Sequence, residues 1–326
     1  MTTLGICIPT YKRPDFLRRC VISAFEAAGD YPIHVFIADD STDDTNSDLY
    51  QELQSKYPRI SVHRNQKNLG IDNNIQCCVD ICDCDYAWIV GEDDYFLPNS
   101  IHRVFDLLQG MSLPFLFSNY AYVGIDDVKI GQALSRPSGC MPAVKFIGEH
   151  LWAAGFIGAC IINRKLWSST PAEPYANTYY THVGRICELM ALTHDPIYVI
   201  AEPSVGNRVE GEDNFTWKHD SYGVFFGFKA MCETVAERHS IFSQAAFQAI
   251  SGMEKRYGWM TLRLAMRLRS ELGYDFRQYQ RYLASNIKNP LRRLLFYVIS
   301  ISPPPIFRPL VIIYRRLRNF RLLNTR

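Results

Sequence analysis

Three acids stand in a row at Glu92-Asp93-Asp94, directly after the apolar run Ala87–Val90 and Gly91. A carboxylate cluster at the carboxyl end of a central strand lies where open α/β sheets bind ligands. Hard oxygen ligands of this kind suit a magnesium or manganese ion that bridges phosphates. A solvated acidic turn, capping the helix that begins near Pro98, accounts for three acids equally well. The chemistry therefore needs support from elsewhere in the chain. Asp39 and Asp40 follow a second apolar run, His34–Ala38, and Tyr11 follows a third, Leu4–Ile8. An aromatic face stacks a base, and a carboxylate accepts from a pyrimidine N3–H or a ribose hydroxyl. A metal held by Asp94, with Asp93 beside it, would neutralise a diphosphate and make it a better leaving group. Together these residues describe a site for a nucleotide whose diphosphate departs.

The elements that must position them alternate. Short apolar runs at Leu4–Ile8, His34–Ala38, Ile60–Arg64 and Ala87–Val90 are separated by helical patterns at 15–28, from 41 to 57 and from 71 to 82. The β-α-β-α-β-α-β order predicts a parallel sheet covered on both faces, with right-handed connections. The loops after the first, second and fourth strands then open on one sheet edge, which brings Asp40 and Asp94 to one crevice. Further on, the pattern predicts a helix over 99–108, a strand Phe115–Asn119, a hairpin or loop over 120–142, a helix 142–153 and a strand Ala159–Asn163. A helix from Thr181-His182 to Thr193, a strand Ile197–Ala201 and a polar loop Arg208–Trp217 follow, and 221–273 reads as helical with breaks near Ser240 and Gly258.

The ordered motifs Ile6-Cys-Ile-Pro-Thr-Tyr11, Ile37-Ala-Asp-Asp-Ser-Thr-Asp43, Asn68-Leu-Gly70 with Asn74, and Gly91-Glu-Asp-Asp94 resemble those of the family 2 glycosyltransferases. The resemblance covers roughly residues 4–120. It implies the GT-A fold, a nucleotide-sugar donor and Mg²⁺ or Mn²⁺ on the diphosphate, held by Asp94 with Asp93. It implies that Pro9, Thr10 and Tyr11 flank the base and that Asp40 contacts the base or ribose. Arg13, Asp39, Asn68, Gly70, Asn74, Glu92 and, past the last strand, Arg208 complete the expected donor-binding set. Family members usually carry an acidic pair at the start of a helix on the acceptor side, whose carboxylate is the base. Here that position reads Tyr179-Tyr-Thr-His182-Val-Gly-Arg185 and is more similar to the abequosyltransferase-type branch, which decorates bacterial polysaccharides. His182 is one candidate base, since imidazole titrates near the working pH, and a hydrogen-bonded structural histidine is the competing reading. Glu188 is the alternative base. Trp217, with Arg208, is placed to clamp diphosphate or stack on a sugar.

The expected organisation is a GT-A domain over 1–220, with a nucleotide-sugar half to 120 and an acceptor half beyond it. A helical extension over 221–285 and a basic amphipathic tail over 286–326 complete it. Residues 276–326 carry eleven Lys/Arg and no acid, which leaves 24 basic against 33 acidic residues before them, a net of about −9. The tail mixes those charges with Leu, Ile and Phe, a composition that favours an anionic membrane surface over nucleic acid. No apolar stretch reaches the ~18 residues of a membrane span. The ten cysteines and a strand beginning at Leu4 fit a reducing cytoplasm, and the Cys77–Cys84 group lacks zinc-site spacing. The expectation is a metal-dependent sugar transferase on the inner face of the cell membrane, acting on a growing, lipid-linked surface oligosaccharide. A sugar nucleotidyltransferase would want a glycine-rich phosphate loop, and Pro9–Pro14 contains no glycine. A non-catalytic sugar-nucleotide-binding protein at the membrane is the rival from another class.

Overall fold

The computed structural model describes residues 2–124, 127–208 and 220–309. Trp217 and the end of the basic tail, 310–326, lie outside them. The first half follows the alternation read from the sequence. It runs β1 (Leu4–Thr10), α1 (Pro14–Ala28), β2 (Ile33–Asp39), α2 (Ser47–Lys56), β3 (Ile60–Arg64), α3 (Ile71–Asp80) and β4 (Tyr86–Ile89). β5 (Tyr95–Phe96), α4 (Ser100–Gly110), β6 (Phe115–Val123), β7 (Lys129–Gln132), β8 (Gly139–Met141), α5 (Ala143–Ala154) and β9 (Cys160–Asn163) come next. The short α6 (Arg164–Trp167), α7 (Thr181–Thr193) and β10 (Ile197–Arg208) precede the helices α8 (Ser221–Arg238), α9 (Ser243–Tyr257), α10 (Leu262–Ser270), α11 (Phe276–Gln278) and α12 (Pro290–Ile301).

The sheet order is β3-β2-β1-β4-β9-β6-β10-β5, with β7 added to β6 and β8 to β10. β3, β2, β1 and β4 pair in parallel, and β9 runs antiparallel between β4 and β6. The fold is a mostly parallel α/β sheet with helices, followed by a helical C-terminal region. The chain moves outward from β1 to β3 and then crosses back to β4, so the order reverses between β1 and β4. That reversal opens a crevice beyond their carboxyl ends, the place where doubly wound sheets take ligands. β1 and β4 are buried along their lengths, as a sheet covered on both faces requires.

Two strands outrun the pattern in the sequence. β6 continues to Val123 and β10 to Arg208, where the apolar runs end at Asn119 and Ala201. Pairing supplies the reason. β10 lies between β6 and β5, with Val205 opposite Phe96 and Gly206 opposite Tyr95, so a polar stretch is held extended by ladders on both sides. Gly206 is needed there, because a Cβ would stand 2.6 Å from the Tyr95 ring.

The described residues fall into two compact units. One holds residues to 208 together with 231–249, and the other holds 220–230 with 250–309. The helices expected as one extension from 221 are thus shared between the two. The second unit has its own core of Tyr222, Ala265, Leu268, Tyr274, Leu283, Ile287, Phe296, Ile299 and Phe307. Chain breaks after Arg238 and at Gly258, whose φ is +66°, fall where the sequence predicts them.

Candidate active site

The crevice is built from the ends of β1, β2 and β4. Glu92, just past β4, accepts from the Thr10 hydroxyl and, at 3.0 Å, from the Tyr11 amide. β1 and β4 are therefore joined at their tips by one carboxylate. Burial raises the Glu92 pKa to about 7, against the hydrogen bonds from Thr10 and Tyr11 and the nearby Arg13. Lys12 adopts a left-handed backbone (φ +55°), and its amide donates to the Ser41 hydroxyl at 2.9 Å. Next to this bend, Tyr11 stands 44% exposed at the rim, with the Lys12 ammonium 5.7 Å from its ring centre. Pro9 and Thr10 are buried in β1 and support that rim from below.

Asp40 is buried, and its Oδ1 accepts from Asn65 Nδ2 (2.7 Å) and the Leu69 amide (3.0 Å). The described residues offer Oδ2 no donor, which leaves it for a ligand. Asn74 Nδ2 donates to the carbonyls of Ala38 (3.0 Å) and Thr10 (3.3 Å), and its Oδ1 accepts from Asn65 at 2.9 Å. It ties the ends of β1 and β2 to α3. Asn68 closes a turn onto the Gly70 amide (2.8 Å), and Gly70 (φ +75°) starts α3; both shape the loop that donates to Asp40.

Asp39 is corrected by its surroundings. Fully buried, it accepts from the Ser41 amide (2.8 Å), Asn46 Nδ2 (3.2 Å) and the Tyr50 hydroxyl (2.6 Å). Its carboxylate holds the β2–α2 connection together and does not face the crevice.

Asp93 and Asp94 fold back over Gly91, where a Cβ would lie 3.0 Å from Asp93 Oδ1 and 2.9 Å from Asp94 Oδ2. Only glycine leaves room for both. The Asp94 pKa is raised well above the ordinary carboxylate range by burial and then by Asp93, with no hydrogen bond opposing. Two adjoining carboxylates, one buried and without a donor, fit a divalent cation, which relieves their repulsion. No group of three or more metal-binding side chains occurs among the described residues. An ion here would take its remaining ligands from phosphate and water, as magnesium does in such sites.

Arg13 reaches Asp93 at 3.3 Å and Glu92 at 3.8 Å. Its guanidinium also lies 5.9 Å from the centre of the Phe16 ring, and Arg208, from the far end of β10, lies 5.4 Å from the same ring. Arg208 is further held by Asp127 at 3.6 Å. The structure thus brings Arg208 and Arg13 to the same Phe16 ring, and Arg13 is paired with the acidic triplet. Phe16 escaped the sequence reading because its helical spacing marks it only as part of an apolar face.

Neither expected base reaches the crevice. His182 is 1% exposed, with Nε2 3.2 Å from the Ala154 carbonyl and Nδ1 buried without a partner. Burial lowers its pKa to about 4. Glu188 binds the Tyr175 hydroxyl (2.6 Å), Arg238 (2.6 Å) and His239 (3.0 Å). Burial pushes the Glu188 pKa up, but these partners hold it below the usual range. Sequence reasoning missed a different carboxylate. Asp72, in the first turn of α3, accepts from the amides of Tyr179 (2.9 Å) and Thr181 (3.4 Å) at the start of α7. The loop it holds carries two non-glycine residues with positive φ, Asn177 and Tyr179. The available signal was its place within the Asn68–Asn74 motif.

Residues 5–145 match the family model described as Glycosyl transferase family 2. That stretch carries the signature of the family 2 glycosyltransferases. Abequosyltransferase RfbV of Salmonella typhimurium is 23% identical to the chain over 310 residues, which cover 90% of this chain and 92% of the relative. A processive diacylglycerol beta-glycosyltransferase of Mycoplasma pneumoniae is 26% identical over 33% of this chain and 32% of its own length. Among solved structures, S. aureus TarS 1-349 in complex with UDP-GlcNAc superposes with a TM-score of 0.55 at 14% identity, covering 97% of this chain and 92% of that one. At that identity the likeness establishes the GT-A-like fold, in agreement with the sheet described above.

Proposed function

We propose that this protein moves a sugar from a nucleoside-diphosphate donor to a hydroxyl of a growing bacterial surface oligosaccharide, lipid-linked at the inner face of the cell membrane. The observation that carries the reading is the convergence of Tyr11, Asp40 Oδ2 and the Glu92-Asp93-Asp94 triplet on one crevice where the sheet order reverses. Tyr11 stacks on the base and Asp40 accepts from the base or ribose. Arg13 and Arg208, braced on Phe16, grip the diphosphate with charge-assisted hydrogen bonds. Asp93 and Asp94 hold Mg²⁺ or Mn²⁺, which when bound neutralises charge on the departing diphosphate.

The acceptor oxygen bonds to the anomeric carbon as the bond from that carbon to the phosphate oxygen breaks, and the nucleoside diphosphate leaves with the electron pair. The hydroxyl proton passes to a base, and the residue we assign is Asp72. From the first turn of α3 it bonds the amides at the start of α7, where the resemblance implies a carboxylate that residues 179–185 lack. Burial raises its pKa above the ordinary value, against the two amide hydrogen bonds, and a raised carboxylate is a better proton acceptor near neutrality. The match to a relative named as an abequosyltransferase, over 90% of this chain, supports transfer of a sugar, and the acid-free basic stretch from 276 supports a site at an anionic surface.

A screen of nucleotide sugars by thermal shift with Mn²⁺ tests donor binding, because a ligand of the native state alone raises apparent stability. Turnover of the best donor is then compared in wild type and Asp94→Asn. Metal-dependent turnover lost in the variant is the expected result. Donor binding without turnover in either protein would leave a sugar-nucleotide-binding protein instead.

A further inference from the structure

We propose that the outward face of α12 is a docking surface for an anionic phospholipid bilayer. The inference deepens the membrane association proposed above by naming the residues that enter the lipid, and it rests on that association.

α12 is apolar on two opposite sides. Inward, Phe296, Ile299 and Ser300 are buried in the core of the second unit. The Tyr274 hydroxyl donates to the Phe296 carbonyl at 2.9 Å, and Arg269 Nε donates to the Ser302 carbonyl at 2.7 Å. The helix is therefore anchored, and its orientation within the unit is fixed. Outward, Leu291 (66% exposed), Leu294 (54%), Leu295, Val298 and Ile301 form one stripe at helical spacing, and Ile306 is exposed just beyond it. A surface helix ordinarily turns polar residues to that side. Five large aliphatic side chains in a row, on a helix whose other face is already packed, are an unpartnered surface.

Charge decides the occupant. Lys288, Arg293 and Arg308 are exposed near the stripe, while Arg292 donates to the Met260 carbonyl, and no acidic residue occurs from 276 onward. A second copy of the chain, meeting this one through the same face, would bring these cations against each other. An anionic bilayer accepts both parts, aliphatic side chains in the acyl boundary and cations among the headgroup phosphates. At about 1.5 Å per residue the twelve residues of α12 span far less than the ~30 Å hydrocarbon core. No described helix is long and apolar enough to cross a membrane. The geometry is that of a helix lying in the headgroup plane.

The full-length protein is sedimented with phosphatidylcholine vesicles containing phosphatidylglycerol and with phosphatidylcholine alone. Binding to the anionic vesicles, weakened by salt and far weaker on the neutral ones, is expected. The exposed triple variant Leu291→Gln/Leu294→Gln/Val298→Gln should lose roughly tenfold or more in partitioning, and Arg293→Gln/Arg308→Gln should bind more weakly with a shallower salt dependence. A single Leu294→Trp variant provides a second readout, with a blue shift of its emission on anionic vesicles. No binding by wild type, equal binding to both vesicle types, an unchanged triple variant, or no shift from Trp overturns the proposal. So does a dimer in solution that the triple variant converts to monomer. Binding of UDP with Mn²⁺, measured without vesicles, separates this from the transferase reading. Intact UDP binding with no vesicle binding refutes only the surface, and the reverse refutes only the donor site.

Discussion

His182 is sealed inside the sheet unit, and the consequence for stability can be worked out. Its folded pKa is about 4 against an ordinary 6.5, because burial disfavours the imidazolium. The folded state therefore binds fewer protons than the unfolded chain between these values. Stability is unaffected above about pH 6.5, falls as the pH drops below it, and levels off below about pH 4. At about 1.4 kcal/mol per pH unit, the full effect is on the order of 3 kcal/mol, and about 2.5 kcal/mol of it is spent by pH 4.5. The assay is urea unfolding of wild type and His182→Gln at neutral pH and near pH 4.5. The stability of wild type relative to the variant should drop by ~2–3 kcal/mol on acidification, and the variant should retain sugar transfer. A pH-independent difference would mean that His182 titrates normally and is hydrated. Together with a collapse of kcat in the variant, that would restore it as the base and refute the burial argument.

Asp94→Asn removes a buried charge pressed against Asp93, so without metal its melting temperature should rise above that of wild type, while the Mn²⁺-induced shift disappears in differential scanning fluorimetry. Asp72→Asn keeps an oxygen for the Tyr179 amide, the shorter of two bonds made to different carboxylate oxygens, but loses the acceptor for Thr181 and no longer takes a proton. Steady-state kinetics should show kcat reduced by ~10²-fold or more with donor KM little changed, whereas equal kcat would dismiss Asp72 as a base. Replacing Arg208 with Gln removes a charge-assisted contact of about 1.5–3 kcal/mol and should raise donor KM roughly tenfold or more. Asn74→Ala strips the Thr10 and Ala38 carbonyls of their donor, and chemical denaturation should show a loss of about 1–3 kcal/mol.

Much of the nucleotide half was legible because its signals are local. Short β-branched runs, each followed by a polar loop and a helical period, imply parallel crossovers, and the crossovers alone bring Asp40 near Asp94. Asp39 was misplaced because adjacent residues at a strand end point to opposite sides. Composition cannot say which of two neighbouring aspartates meets Tyr50 and Asn46 and which meets the loop of Asn65 and Leu69. Arg208 was found by residue type, but its approach to Phe16 depends on β10 continuing past its apolar run, which only pairing with β6 and β5 brings about. Asp72 was not singled out at all, and of the two readings open for His182 its burial fits the structural one. A hydrogen bond between Asp72 and Tyr179 spans two elements and leaves no periodic trace, and a polar side chain in a helix does not announce which neighbour it faces.

The position of β10 has a consequence for synthesis. It is the last strand among the described residues, yet it is not an edge: it inserts between β6 and β5. While the ribosome is still producing α7, Tyr95 and Phe96 have no ladder partner and one side of β6 is bare backbone, open to pairing with another chain. Arg208, the final residue of that strand, reaches the Phe16 ring only when the gap is filled. The proposed diphosphate clamp thus assembles as the sheet closes, and a nascent chain stalled before residue 200 carries an exposed seam.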